Sequence, residues 1–391
     1  MLRRAAVALC LAVLSACDSE VPNIAWHRKD LNAHLTRWLA VAPTPSGLMQ
    51  WQFERNWQAP AKVTGDLTMH SRLVYTMLVG YEATGDARYL EAAKRGTDFL
   101  LTAFHDPVYG GFYQAVDTAG RPVSQIKDSY GHAFALLALS HAARVTRDPK
   151  YKAAALAAWQ DIRRNLREPG GGLRSSAPRD FALTLVGKHS QNPDMHMFEA
   201  LLALIDATSD QQVVADTREL GDFVLRMLMV GQPDGGAYIP EWYDAQWKPL
   251  TDDEGFIDLG HQFEWSHLLR SAEKRGLPPL YADVADRLLK FAVAKGYDEQ
   301  DGGIFNRMSP GGQVDRSKYW WQQAEGMKAF LATAQRPDMA RRYVETLELV
   351  DKEFLDRENG GWQSCAKGGC GKLQPDPYHL VGMDWAALSA K

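Results

Sequence analysis

From residue 26 onward the chain alternates two kinds of segment. Short glycine loops are followed by clusters of aromatic and aliphatic residues, as in GGFY, GGAYIPEW, GGIF and GGW. These clusters predict short extended strands or hairpins. Between the loops lie stretches of helical pattern, in pairs separated by a tight turn. The loops are Pro45-Ser46-Gly47, Tyr109-Gly110-Gly111, Gly170-Gly171-Gly172, Asp234-Gly235-Gly236, Asp301-Gly302-Gly303 and Asn359-Gly360-Gly361. Taken at Gly47, Gly110, Gly171, Gly235, Gly302 and Gly360, their spacings are 63, 61, 64, 67 and 58 residues. The turns are Thr84-Gly85-Asp86, Thr146-Arg147-Asp148, Thr208-Ser209-Asp210, Gly276-Leu277-Pro278 and Arg336-Pro337-Asp338. An Asp or Pro there suits the cap or first turn of the next helix.

Six repeats of two helices predict roughly twelve helices. Six αα units can close on themselves, which predicts an all-α (α/α)6 barrel with short β hairpins in the Gly-rich loops on one rim. An open superhelix of helix pairs is the alternative. Length alone, 391 residues, points to two or three domains. Closure explains instead how residues 26–391 form a single domain, and no linker or long charge run interrupts them. The helices after the Gly loops should begin near Leu67, Tyr130, Pro193, Gly260, Lys318 and Pro377. Polar and aromatic residues gather in their first turns, so the long-loop rim is the expected functional face.

The first residues follow a different pattern. Met1-Leu2-Arg3-Arg4 is basic, and Ala5 to Ala16 is apolar but too short to span a bilayer. The segment ends Leu14-Ser15-Ala16-Cys17, which resembles the lipobox of bacterial lipoproteins. That resemblance implies a signal peptide over 1–16, lipidation at Cys17 and a short tether over 17–25. The protein would then sit in the bacterial cell envelope, anchored by its lipid and facing the periplasm. Asp18 points to the inner membrane. An ordinary secretory signal is the alternative. The remaining cysteines, Cys365 and Cys370, stand C-x4-C in a Gly-rich loop. In an oxidising compartment a disulfide is the natural reading, with two free thiols as the alternative. A zinc site is disfavoured, because no second ligand pair stands nearby.

Composition narrows the class. The chain is 46% hydrophobic with a net charge of -4, which excludes a disordered chain and lacks the basic footprint of a nucleic-acid binder. The unusual feature is 12 Trp beside 14 Tyr and 14 Phe. Aromatics in that number fill cores, and they also line pockets that stack on sugar rings.

The candidate chemistry clusters at the six helix starts. His261 and Glu264 lie three residues apart on one face of GHQFEW, and His196 and Glu199 do the same after Asn192-Pro193. Asn192 reads as an N-cap, and so does Asp376 of DPYH. Trp320, Trp321 and Glu325 open the fifth helix, and Arg72 lies early in the first. A lone histidine is usually a capped or core residue. Three of them, His196, His261 and His379, at equivalent places argue for a shared mouth. The positive end of a helix disfavours imidazolium, so a histidine there should stay neutral and act as a base near pH 7.

The segments YGHAFALLALSHAA, QNPDMHMFEALLALIDAT, LGHQFEWSHLL, YWWQQAEGMKAFL and PYHL resemble the N-acylglucosamine 2-epimerase family, in order and over nearly the whole mature chain. The family includes cellobiose 2-epimerases and mannose isomerases on an (α/α)6 barrel. The resemblance implies cofactor-free interconversion of aldoses, without a metal, through a cis-enediol. It implies that His261 and His379 are the acid/base pair and Glu264 the carboxylate partner of His261. Arg72 would steady the sugar oxygens, and Asn192, His196, Trp321 and Glu325 would line the site. Tyr130 and His132 of YGHAF would add sugar contacts, although a Gln is common where His132 stands. VGMDW after PYHL departs from the Pro-Arg of many acetylglucosamine epimerases, which leans toward a mannose-like sugar or a mannose- or glucose-ended oligosaccharide. No phosphate-binding loop is present. Two other classes fit the pattern less well: a carboxylate-based glycoside hydrolase or lyase on the same scaffold, which would leave the histidines idle, and a non-catalytic, lipid-anchored glycan binder. The partners expected are a carbohydrate and the membrane, and the sequence leaves oligomeric state open.

Overall fold

The computed structural model describes residues 23–61, 63–183, 187–367 and 370–389. The signal peptide, Cys17 and most of the tether lie outside the described residues. Twelve α-helices occupy the described chain: α1 Ile24–Val41, α2 Leu67–Thr84, α3 Ala87–Phe99, α4 Ser129–Thr146, α5 Pro149–Asn165, α6 Asn192–Thr208, α7 Gln211–Phe223, α8 Leu259–Glu273, α9 Leu280–Gly296, α10 Trp320–Leu331, α11 Pro337–Glu353 and α12 Tyr378–Ser389. The post-loop helices start within two residues of their expected places. None of the described helices is long and apolar enough to cross a membrane.

The two helix classes differ in how much they bury. α4 buries thirteen of its eighteen residues, all round its circumference. A helix apolar on every side belongs inside. α3 buries Tyr89, Ala92, Ala93, Gly96, Thr97 and Phe99, a single stripe at helical spacing, and leaves its other face in water. The even-numbered helices form an inner ring, and the odd-numbered ones wrap it. Where the two layers meet, Gly80 of α2 lies so close to the Tyr89 ring of α3 that a Cβ would fall 2.5 Å from it. Aspartates cap both classes: Asp66, Asp128 and Asp258 on inner helices, Asp86, Asp148 and Asp210 on outer ones.

Pairing between loops fixes the inner ring. Residues 65–66, ahead of α2, pair antiparallel with 115–116, ahead of α4. Residues 127–128 pair with 176–177, 188–190 with 242–244, and 257–258 with 307–308. Tyr319, ahead of α10, bridges Cys365, and Leu373, ahead of α12, bridges back to Glu54. Each loop is thus stitched to the next around one rim, and the last to the first. All six inner helices therefore present their N-termini at that rim. The barrel is closed, and its sixth pair is made of the two chain ends: α12 packs against α1 as well as against α2 and α10.

A buried polar contact holds this closure. His27 of α1 reaches Asp384 of α12 at 2.7 Å through Nδ1 and the Tyr343 hydroxyl of α11 through Nε2, all within the core. Burial lowers His27 to about 4 and raises Asp384 well above the usual carboxylate range, so the pair is held without net charge. His27→Ala strands a buried carboxyl and hydroxyl, which costs about 1–3 kcal/mol. Urea unfolding should show a lower midpoint for this variant, and an unchanged midpoint would mean that closure rests on apolar packing alone.

Candidate active site

The N-terminal turns of α2, α4, α6, α8, α10 and α12 converge on one mouth. Trp321 sits between the two candidate acid/base histidines, its ring centroid 4.9 Å from His261 and 5.6 Å from His379. The sum of these distances, about 10.5 Å, is an upper limit on the separation of the two imidazoles. Each ring is anchored through Nδ1. His261 Nδ1 lies 2.8 Å from Glu241 Oε2, and His379 Nδ1 lies 2.6 Å from Glu325 Oε1. Among the described residues no protein group takes up either Nε2, which leaves that nitrogen as the reactive one.

Arg72 stands across from them. It donates to Asp376 at 3.0 Å and to the Tyr130 hydroxyl at 2.7 Å, and its guanidinium lies over Phe134 and Tyr378 at 4.3 and 4.9 Å. Its Nε is buried and unpartnered among the described residues, as are Asn192 Oδ1 and Glu264 Oε2. Asn192 is the first residue of α6 rather than its cap; Gln191 precedes the helix, and neither side chain makes a capping bond. His196 Nδ1 contacts Glu199 at 3.1 Å and lies 4.0 Å from Glu264.

The two histidines carry opposite charge. Burial opposes a charge on His261, but Glu241, Asp258 and Glu264 outweigh it and raise this imidazole to about 10. His261 is therefore an imidazolium near neutral pH, contrary to the neutral state that a helix N-terminus by itself predicts. His379 goes the other way, well below its ordinary value, through burial and the nearby Arg72 and Lys328 cations. Glu264 is pushed well above the carboxylate range by burial and by Glu325 beside it. It is a carboxylic acid at neutral pH. The arrangement is a neutral base, a cationic acid and a fixed guanidinium around one aromatic floor, which suits moving a carbon-bound proton while charge develops on oxygen.

Several residues differ from their expected places. The partner of His261 is Glu241, from the GGAYIPEW hairpin, and not Glu264, which lies toward His196, Glu325 and His379. Glu241 is itself held by Ser190 at 3.1 Å and Gln191 at 3.0 Å. His132 does not face the mouth. Its Nε2 accepts from the Phe112 N–H at 2.9 Å, its Nδ1 meets the Asp128 carbonyl at 2.7 Å, and it is fully buried. Equivalent positions do the same work elsewhere: His70, Asp194, Gln262 and Gln323 accept from the backbone N–H of Met49, Leu173, Ile239 and Ile304. This explains why Gln serves where His132 stands. Cys365 and Cys370 form a disulfide with Cα atoms 5.9 Å apart. The backbone around it pairs with residues 318–320, so the disulfide loop borders the start of α10.

Two sets of donors have the spacing to hold a metal ion, His196–Glu199–Glu264 and Glu264–Glu325–His379, each within 4.8 Å. In the second set the Lys328 ammonium, 2.7 Å from Glu325, already compensates the charge.

The profile of the N-acylglucosamine 2-epimerase (GlcNAc 2-epimerase) family matches residues 47–380. A cellobiose 2-epimerase from Ruminococcus albus is 25% identical over 353 residues, covering 86% of this chain and 89% of that protein. A D-mannose isomerase from Marinomonas mediterranea is 26% identical over 355 residues, covering 85% and 88%. The solved cellobiose 2-epimerase of Spirochaeta thermophila superposes with a TM-score of 0.84 at 21% identity, covering 94% and 97% of the two chains. That likeness shows the same barrel.

Glu241→Gln should lower the His261 value by about 1–3 units, because removing an adjacent anion disfavours the cation. An acid is active below its pKa, so the basic limb of the pH–rate profile should move to lower pH. Histidine NMR titration reads the shift directly, and an unmoved His261 would assign its charge to Asp258 instead.

Proposed function

Because the chain belongs to the N-acylglucosamine 2-epimerase family, and is with it a sugar epimerase or isomerase, we propose that it moves the C2 proton of a free aldose through a cis-enediol. Mannose, or an oligosaccharide ending in mannose or glucose, is the preferred substrate. The observation that carries this reading is the Trp321 ring lying between two imidazoles of opposite charge.

The open-chain sugar lies on Trp321. His379 Nε2 takes the C2 proton, and the electron pair of the C–H bond forms the C1–C2 double bond while negative charge passes to O1. Arg72 and the His261 imidazolium stabilise that charge as it develops. Such a donor contributes about 10²–10³-fold, and a positioned base a further ~10²–10⁴-fold. Return of a proton to C2 from His261, on the opposite face, gives the epimer. Return to C1 from His379 gives the ketose. Glu325 holds the Nδ1 proton of His379 and so keeps the lone pair on Nε2.

A panel of aldoses in heavy water, followed by NMR, tests this. Recovered mannose should carry deuterium at C2, and both His261→Ala and His379→Ala should lose about 10²-fold or more of the exchange rate. Cleavage of glycosidic bonds with C2 protium retained would make the protein a hydrolase, and sugar binding without exchange would make it a glycan binder.

We further propose that the enzyme is lipid-anchored at the cell envelope. The apolar run ending Leu14-Ser15-Ala16-Cys17 supports this, and the Cys365–Cys370 disulfide suits an oxidising compartment. Cys17→Ala should shift the protein from the membrane fraction to the soluble one; an unchanged distribution would discard the anchor.

A further inference from the structure

We propose that Lys328 is a positioning residue that acts through Glu325 to keep His379 working as a base. This rests on reading the mouth as a proton-transfer site. Lys328 lies one turn below Glu325 on α10, in the otherwise apolar stretch Gly326-Met327-Lys328-Ala329-Phe330. Its ammonium sits 2.7 Å from one oxygen of Glu325, whose other oxygen is 2.6 Å from His379 Nδ1. A single carboxylate thus joins a buried cation to the imidazole. Lys328 is only 8% exposed and Glu325 fully buried. Placing an ammonium there is costly unless its charge is used.

The surroundings show what the charge does. Around Lys328 stand Glu325 of its own helix, Glu264 and His267 of α8, Glu199 of α6 and Tyr75 of α2. Around His379 stand Glu325 and Lys328, Arg72 of α2, His196 of α6, and Asp376 and Tyr378 at its own helix start. Glu325 alone, at hydrogen-bond distance, favours a second proton on His379. An imidazolium has no lone pair for the C2 proton. Lys328 cancels that attraction without removing the hydrogen bond. Glu325 therefore still fixes the Nδ1–H tautomer, and Nε2 stays free.

The test compares the wild type with Lys328→Met, which keeps the length and drops the charge, and Lys328→Arg, which keeps the charge. C2 exchange of D-mannose in heavy water is followed against pH. In Lys328→Met the acidic limb should move up by about 1 unit or more. Its rate should then fall roughly tenfold at pH 6 relative to wild type and recover at high pH, by the tenfold-per-unit relation. Lys328→Arg should keep the wild-type limb. An unshifted limb with uniform loss, or Arg behaving as Met does, would overturn the proposal. Histidine NMR of the wild type, with His379→Gln for assignment, gives a reading that needs no folded variant and no turnover. His379 should be the neutral Nδ1–H tautomer at pH 7, and an imidazolium there would overturn the proposal even if mannose is no substrate. Absence of C2 exchange on every aldose, with His379 neutral, would fault the substrate reading and leave the role of Lys328 standing.

Discussion

Six buried helices aim their N-terminal ends at one rim, and the electrostatics of the mouth follow from that. Each end carries about half a positive charge. The aspartate caps Asp66, Asp128 and Asp258 answer part of it. Glu241, Glu264 and Glu325 add carboxylates inside the ring, where water is scarce and charges interact strongly. A histidine placed in this setting does not take its state from the helix end alone. His261 has Glu241, Asp258 and Glu264 near it and becomes a cation. His379 has one carboxylate at hydrogen-bond distance, already compensated by Lys328, and stays neutral. Two histidines at the same depth thereby acquire different chemistry from their neighbours.

The repeat made most of the fold legible. Gly loops at intervals near sixty residues located every inner helix, because such a loop needs backbone that other residues rarely adopt; Gly110, Gly302 and Gly360, for example, have φ between +71° and +80°. Closure was harder to read, since the sixth pair joins α1 to α12 across the whole sequence. In the site, Arg72, His261, Trp321, Glu325 and His379 do come together. Glu241 was missed as a charge partner because it lies in a hairpin whose pattern reads only as a strand. Lys328 did leave a signal, a lone cation on a helix that is otherwise apolar on every side. The exchange of Glu241 for Glu264 as partner of His261 has a simple cause. Residues three apart share a helix face, but the ring of His261 turns away from its own helix toward the hairpin.

Register on the inner helices separates structural from functional polar residues. His70, His132, Asp194, Gln262 and Gln323 occupy one equivalent position, and each holds a backbone N–H of the adjoining Gly loop. Two residues further on stand Arg72, Phe134, His196, Glu264 and Glu325. Two residues turn a helix by about 200°, so this second set faces away from the loops and toward the barrel axis. There its members meet in sequence round the ring. Arg72 lies 4.3 Å from the centroid of Phe134, Phe134 lies 4.6 Å from His196, and His196 lies 4.0 Å from Glu264. Glu264 and Glu325 then share a cluster with His379. The same side chain thus does different work according to register: His132 fastens a loop, and His196 faces the axis. The loop-fastening position tolerates His, Asp or Gln, because any of them can accept one N–H. The axial position does not repeat a residue type except for the adjacent pair Glu264 and Glu325, and this pair is where Lys328 is needed. A fold built from six similar units therefore keeps its symmetry in the contacts that stitch the rim. It confines its asymmetry to the axial ring, where a sugar has to be held one way round.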